Sequence, residues 1–202
     1  MKSLVLTFTL LFLGGLHSAH AEALTPEELI EGTSSKVLEI INTDADKIRN
    51  EPGYVNQIID EHILPLIDLR SMGKLILGKH WKSASEGQQT QFIGEFKSML
   101  IRTYAKSIAD YGDAKIVVLS NNKQQGKFYI VNTELDLGSG APLNVAYTFR
   151  QKDEVWKVID LSVDGLSLVK NFRSSFNQEI NETSLDSLID RLANTNLEKN
   201  TI

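Results

Sequence analysis

Residues 143–163, LNVAYTFRQKDEVWKVIDLSV, decide the fold class of this chain. Apolar and polar residues alternate with period two on both sides of a charged Lys-Asp-Glu turn at 152–154, which predicts two strands of an antiparallel hairpin. The apolar face of the first strand consists of Leu143, Val145, Tyr147 and Phe149, and that of the second is predicted to consist of Val155, Ile159, Leu161 and Val163.

Two further strand patterns precede this hairpin, at 116–119 and 128–137, so the sheet is predicted to be an antiparallel meander. Helical spacing of apolar residues occupies the chain before the strands and returns after Gly165. Helices followed by a sheet and then helices predict an α+β fold, a curved antiparallel sheet of about four strands wrapped by helices. Both faces of the strands carry apolar residues, which is typical either of an apolar pocket or of a second helical layer.

The N-terminus has the pattern of a secretory leader. Lys2 precedes the apolar run LVLTFTLLFLGGL, and Ala19-His20-Ala21 is an A-x-A cleavage signal. We therefore expect residues 1–21 to be a cleaved signal peptide, residues 22–195 a single domain, and residues 196–202 a polar, flexible tail. The expected location is the periplasm.

Composition excludes several classes of function. The 202 residues contain no cysteine, which excludes disulfides and thiol chemistry, and the net charge of −5 argues against a nucleic-acid partner. His62 and His80 have no neighbouring ligands at metal-site spacing, so no metal and no cofactor are expected. Lys170 and Arg173 form a local basic cluster that suits an acidic partner, a lipid phosphate or simple solvation.

A series of segments resembles a known family: ILPLID (63–68), LILGKHWK (75–82), FKSMLIRTY (96–104), WKVID (156–160) and DGLSLVKNFRSSF (164–176). Together with Ser85, Gln88 and Phe92, they are similar to the toluene-tolerance family of MlaC-type periplasmic phospholipid-binding proteins, over about residues 25–195. The resemblance implies an NTF2-like fold and a carrier, not an enzyme, with glycerophospholipid as its cargo. It also implies two partners, an inner-membrane ABC transporter with an MCE-domain subunit and an outer-membrane lipoprotein–porin complex.

The resemblance places the lipid pocket at Leu143 and its strand neighbours and at Leu166, and arginine at Leu143 or Leu166 is predicted to lower the bound lipid. Two alternatives remain: an enzyme that uses Asp160 with Tyr104 or Tyr147, and a binding or scaffold module with a filled core. The full predicted pocket consists of Leu143, Val145, Tyr147, Phe149, Leu161, Val163, Leu166 and Leu168 with Tyr104, Ile108 and Tyr111.

Overall fold

The computed structural model describes residues 24–51, 53–110, 112–138 and 140–198. The predicted signal peptide and Tyr111 lie outside the described residues. The helices before the sheet are α1 (Pro26–Thr43), α2 (Ala45–Asn50), α3 (Tyr54–Ile58), a π-helical turn (Ile59–Ile63), a 3₁₀ turn (Leu64–Leu66), α4 (Leu69–Leu77), α5 (Lys79–Ser83) and α6 (Glu86–Asp110). The strands are β1 (Lys115–Val118), β2 (Lys123–Gln125), β3 (Phe128–Asp136), β4 (Leu143–Lys152), β5 (Val155–Val163) and β6 (Leu166–Ser167), followed by α7 (Leu168–Glu182) and α8 (Leu185–Glu198).

Local sequence signals fix several of these boundaries. Thr25 and Glu28 form a capping box at the start of α1, with each residue's side chain accepting the other's backbone N–H. Ser85 and Gln88 form the same arrangement before α6. One predicted boundary is wrong: α8 continues past residue 195 through Asn196, whose amide donates to the Glu95 backbone carbonyl at 3.1 Å and carboxylate at 2.6 Å. The predicted tail therefore begins inside a helix.

The predicted α+β class is confirmed, with an open antiparallel sheet wrapped by helices. Strands lie in the order β1-β3-β4-β5-β6, and β2 also pairs with β3. Within the described residues the sheet has six strands, where about four were predicted. The two- and three-residue strands β6 and β2 are too short to show an alternating pattern.

A β-bulge changes the face of β5. Tyr147 pairs with Leu161, but Phe149 pairs with Val158, which leaves Ile159 without a partner in the register. The extra residue moves Val158 onto the same face as Leu161, because directly paired residues share a face. Val155 lies on the other face and is half-exposed. The prediction that Val155, Ile159 and Leu161 share one face is therefore wrong.

Most of the buried apolar side chains lie between helices. Phe92 and Phe96 of α6 are fully buried and stack at 5.7 Å between ring centroids, and Phe172 and Phe176 of α7 pack edge-on against them. This cluster joins α4, α6, α7 and α8. We call it the aromatic core. A smaller cluster joins α1 to the inner face of the sheet at Ile30, Val131, Phe149 and Val158.

Polar contacts join the sheet to the start of α4. Asp68 caps α4 by accepting the Ser71 N–H at 2.8 Å, and Arg150 of β4 donates to the same carboxylate at 3.0 Å. Burial acts to raise the pKa of Asp68, but the hydrogen bonds from Ser71 and the charge of Arg150 outweigh it and lower the pKa. This ion pair is therefore one of the contacts that tie α4, and with it the aromatic core, to the sheet.

Candidate functional site

An apolar cavity lies between α6 and the inner face of the sheet. Its volume is about 220 Å³, and Tyr104 at its wall is 40 % exposed, so the cavity reaches the surface beside α6. We call it the α6 cavity. It is lined by Ile59, Ile63, Leu64, Leu66, Ile67, Met72, Leu100, Ile101, Tyr104, Ile108, Tyr147, Val158, Leu161 and Leu168.

A second cavity, of about 230 Å³, lies beneath α1, and we call it the α1 cavity. The hydroxyl of Ser34 in its wall donates to the backbone carbonyl of Ile30 at 2.7 Å, so it is already satisfied within the helix. The lining residues are Ile30, Thr33, Ser34, Val37, Leu38, Ile41, Ile63, Leu66, Ile108, Ala114, Ile116, Leu135 and Tyr147.

The two cavities are neighbours. Ile63, Leu66, Ile108 and Tyr147 line both, and they form the wall between the cavities. Burial raises the pKa of the Tyr147 phenol, and a hydrogen bond with Thr133 opposes that rise only in part, so the phenol is neutral at physiological pH. None of the described residues that line either cavity carries a charge. The pair of cavities therefore suits an uncharged, apolar ligand portion with two branches.

Five of the predicted pocket residues line these cavities. Tyr104, Ile108, Leu161 and Leu168 reach the α6 cavity, and Tyr147 and Ile108 reach both. Alternation along β4 and β5 and helical spacing along α6 and α7 are the signals that found them. That these side chains contact a lipid stays a prediction.

Four other predicted residues lie on the inner face of the sheet or at its edge without lining either cavity. Phe149 is fully buried and belongs to the cluster under α1, and Val145 is 5 % exposed. Leu143 pairs with Leu135 at the first position of β4, and Val163 is the last residue of β5. The strand pattern identified the correct face of β4, but only part of that face borders the cavities.

The placement of Leu166 in the pocket is wrong. The Asp164-Gly165 turn has positive φ at both residues, 46° and 81°, and it folds Leu166 back opposite Val163 in the edge strand β6. The Leu166 side chain is 79 % exposed there and lines neither cavity. A reversal this tight keeps Leu166 at the end of the sheet, while Leu168 begins α7 and turns inward.

The sequence reasoning missed the walls contributed by the segment before α4 and by α1. Ile59, Ile63, Leu64, Leu66 and Ile67 come from the π-helical and 3₁₀ turns and the residue that follows them. These turns change the helical period, so one continuous apolar stripe cannot be read from the sequence. The available signal was the density of isoleucine and leucine in IIDEHILPLIDL (58–69), which exceeds what one buried face of a short helix needs.

Asp160 does not face the cavities. Its carboxylate accepts the Leu161 N–H at 2.9 Å, the Ser167 hydroxyl at 2.6 Å and the Val169 N–H at 3.0 Å. In the register it lies opposite Thr148, on the other face of the sheet from Tyr147. Asp160 therefore fixes the start of α7, and the predicted acid–base pair of Asp160 with Tyr147 does not form.

Within residues 24–51, 53–110, 112–138 and 140–198, no three His, Asp or Glu side chains form a group that could hold a metal ion. In that part of the chain no helix combines the length and the apolar character that crossing a bilayer requires.

Comparisons with known proteins agree on one family. The family model described as MlaC protein matches residues 31–194. The intermembrane phospholipid transport system binding protein MlaC of Haemophilus influenzae is 26 % identical over 193 residues, which cover 93 % of this chain and 89 % of that protein. Toluene tolerance protein ttg2D of Pseudomonas putida is 26 % identical over 171 residues, covering 83 % of this chain and 80 % of that protein.

A solved structure has the same fold. The phospholipid-binding protein from Ralstonia solanacearum, determined in complex with a phospholipid, superposes with a TM-score of 0.79 at 24 % sequence identity. The match covers 87 % of this chain and 98 % of that one. Because the family model spans most of the described residues, this chain belongs to the MlaC protein family.

Proposed function

We propose that this protein is a periplasmic carrier that holds a glycerophospholipid by its acyl chains and moves it between the outer-membrane and inner-membrane complexes. The observation that carries the proposal is the pair of adjoining apolar cavities with an uncharged shared wall. A relative named for phospholipid transport and a structural relative described in complex with a phospholipid support the same ligand class.

The physical need for such a carrier is large. Exposing an acyl methylene to water costs about 0.8 kcal/mol, so a chain of roughly sixteen carbons costs about 13 kcal/mol. A protein that shields the chains removes most of that barrier to crossing an aqueous compartment. The two cavities offer apolar contact to the chains, and the described residues of their walls offer no charge to the phosphate. The head group is therefore expected to remain in water.

Carrier activity of this kind needs no covalent chemistry and no cofactor. Loading and release require only that the affinity for lipid changes when the protein docks on a membrane partner. We propose as partners an inner-membrane ABC transporter with an MCE-domain subunit and an outer-membrane lipoprotein–porin complex. Export by the leader at residues 1–21 would bring the carrier to the compartment between them.

The test is organic extraction of the purified protein followed by mass spectrometry of the extract, with phosphorus measured per protein chain. Stoichiometric phospholipid is the expected result. A folded protein that contains no lipid, and that takes up none from phospholipid vesicles, would refute the carrier and support a filled binding or scaffold module. Turnover of a phospholipid during the same incubation would instead indicate an enzyme.

A further inference from the structure

A groove of about 510 Å³ lies on the outer side of α7, away from the lipid cavities. Five of its lining residues fall at α7 positions that share one helical face, and the sixth comes from the start of α5. The groove has no lining residue in common with the α1 or α6 cavity. We call it the basic groove, and it is lined by Lys79, Lys170, Arg173, Ser174, Asn177 and Asn181.

The positive charge of the basic groove is not neutralised. Among the described residues, no carboxylate lies within ion-pair distance of Lys79, Lys170 or Arg173. Glu179, also on α7, is held by Arg191 through two contacts of 2.7 Å. Three exposed cations thus share one groove on a protein whose net charge is −5. Unneutralised charge of one sign in a concave site favours the binding of an oppositely charged partner.

The groove is also held in a fixed shape. The Arg173 guanidinium rests on Gly78, where an added Cβ would lie 3.2 Å from Nη2 and 3.4 Å from Cζ. The Asn177 amide donates to the backbone carbonyls of Ile76 at 2.8 Å and Arg173 at 2.7 Å, which ties α7 to the end of α4. Side chains that are ordered before binding lose less conformational entropy when a partner arrives.

We propose that the basic groove is a docking surface for an acidic segment of a protein partner. Carboxylates are bound well by arginine and lysine clusters, and the planar guanidinium of Arg173 can hold one carboxylate through two parallel hydrogen bonds. A lipid bilayer fits less well, because recognition of anionic membranes takes about four to eight basic residues on a surface that can lie flat on the lipid. The proposal does not depend on what the cavities contain.

The test compares two triple variants that lose the same charge. In the first, Lys79→Gln, Lys170→Gln and Arg173→Gln remove the cations of the groove. In the control, three exposed lysines of the sheet, at 115, 123 and 152, are changed to glutamine. The probe is a fluorescein-labelled octaglutamate peptide, and its anisotropy is measured with the full mature chain at an ionic strength of about 0.01 M, where the Debye length is about 30 Å.

We expect wild type and the sheet variant to bind the peptide with similar affinity and the groove variant to bind roughly tenfold more weakly, since exposed ion pairs are individually weak but here act together. Raising the ionic strength to about 0.1 M should weaken the wild-type complex and reduce the difference. Lipid extracted from the groove variant should equal that from wild type, which separates this proposal from the carrier proposal.

Three results would overturn the docking proposal. The first is that wild type does not bind the peptide, and the second is that both triple variants lose peptide binding equally. The third is that wild type co-sediments with phosphatidylglycerol vesicles and only the groove variant loses this co-sedimentation, while its peptide binding equals that of wild type. The last result would indicate a membrane surface as the occupant.

Discussion

One substitution made at two leucines separates the lipid cavity from the surface of the sheet. Leu161 lines the α6 cavity, whereas Leu166, across the following turn, is 79 % exposed. We expect Leu161→Arg to lower the co-purified phospholipid strongly and Leu166→Arg to leave it unchanged. The second expectation reverses the prediction made from the sequence, in which Leu166 belonged to the pocket.

The size of the effect follows from the acyl methylenes that lose their contact with the wall. An arginine at position 161 extends its charged end toward water and lays its stem across the cavity, because leaving the charge in the cavity would cost several kcal/mol. If four methylenes remain in water as a result, the loss is about 3 kcal/mol. That corresponds to an affinity about 100-fold lower.

The assay measures phospholipid phosphorus per chain after purification, followed by uptake from vesicles by delipidated protein. Thermal unfolding of each variant shows whether the fold is retained, and Leu168→Arg tests the same cavity from α7 if Leu161→Arg does not fold. Equal lipid in the Leu161 and Leu166 variants would contradict the cavity assignment, and so would a loss confined to Leu166→Arg.

Three further outcomes are expected. Removing the lipid should lower the free energy of unfolding by up to about 5 kcal/mol, which is the cost of an empty cavity of about 220 Å³ at roughly 24 cal/mol per Å³. Urea denaturation of the protein with and without lipid measures this difference. Equal free energies of unfolding would contradict the prediction. Asp68→Asn keeps an oxygen that can accept the Ser71 N–H but removes the carboxylate that pairs with Arg150, so it should destabilise the protein by about 1–3 kcal/mol. Because the native pKa of Asp68 is lowered, its stabilising effect is present above the unfolded-state pKa of about 4 and is lost as the pH falls through the native pKa. The difference in urea midpoint between wild type and Asp68→Asn should therefore shrink in acid. A difference that grows in acid would refute the assignment. Phe96→Ala should cost about 3–5 kcal/mol in thermal unfolding yet leave the lipid per folded chain unchanged, since Phe96 lines neither cavity; a selective loss of lipid would contradict this.

The strands and most of the helices follow from the sequence because their signals are local. The alternation through β4 and the two capping boxes each lie within a few residues of the feature that they predict. The bulge in β5 has no such signal, since apolar residues occupy both Val158 and Ile159 and either register buries one of them. The face of β5 was therefore decided by its pairing with β4, which is a tertiary contact.

The site was predictable only where a cavity wall coincides with a regular element. Tyr147 and Ile108 were found because each lies on the apolar side of a long strand or helix. Leu66 was not found, because its position depends on how irregular turns pack against both α1 and the sheet. Periodicity also cannot distinguish an apolar side chain that fills the interior from one that borders an unfilled volume, and Phe149 and Tyr147 on the same face of β4 illustrate both cases.

The distribution of apolar residues explains how one small domain can be both stable and incompletely packed. The rings of Phe92, Phe96 and Phe176 form a closed core among α4, α6, α7 and α8, and none of these three residues lines a cavity, although Met72 of the same cluster does. The unfilled volume lies further along α6, beside Leu100, Tyr104 and Ile108, and Ile108 borders both cavities. Helix α6 therefore packs closely in its N-terminal half and borders unfilled volume in its C-terminal half. A substitution that shrinks the core should act on stability, and one that fills the cavities should act on lipid. A tryptophan at Ile108 is expected to exclude lipid while raising the melting temperature of the delipidated protein, because it occupies volume that is otherwise empty without a ligand.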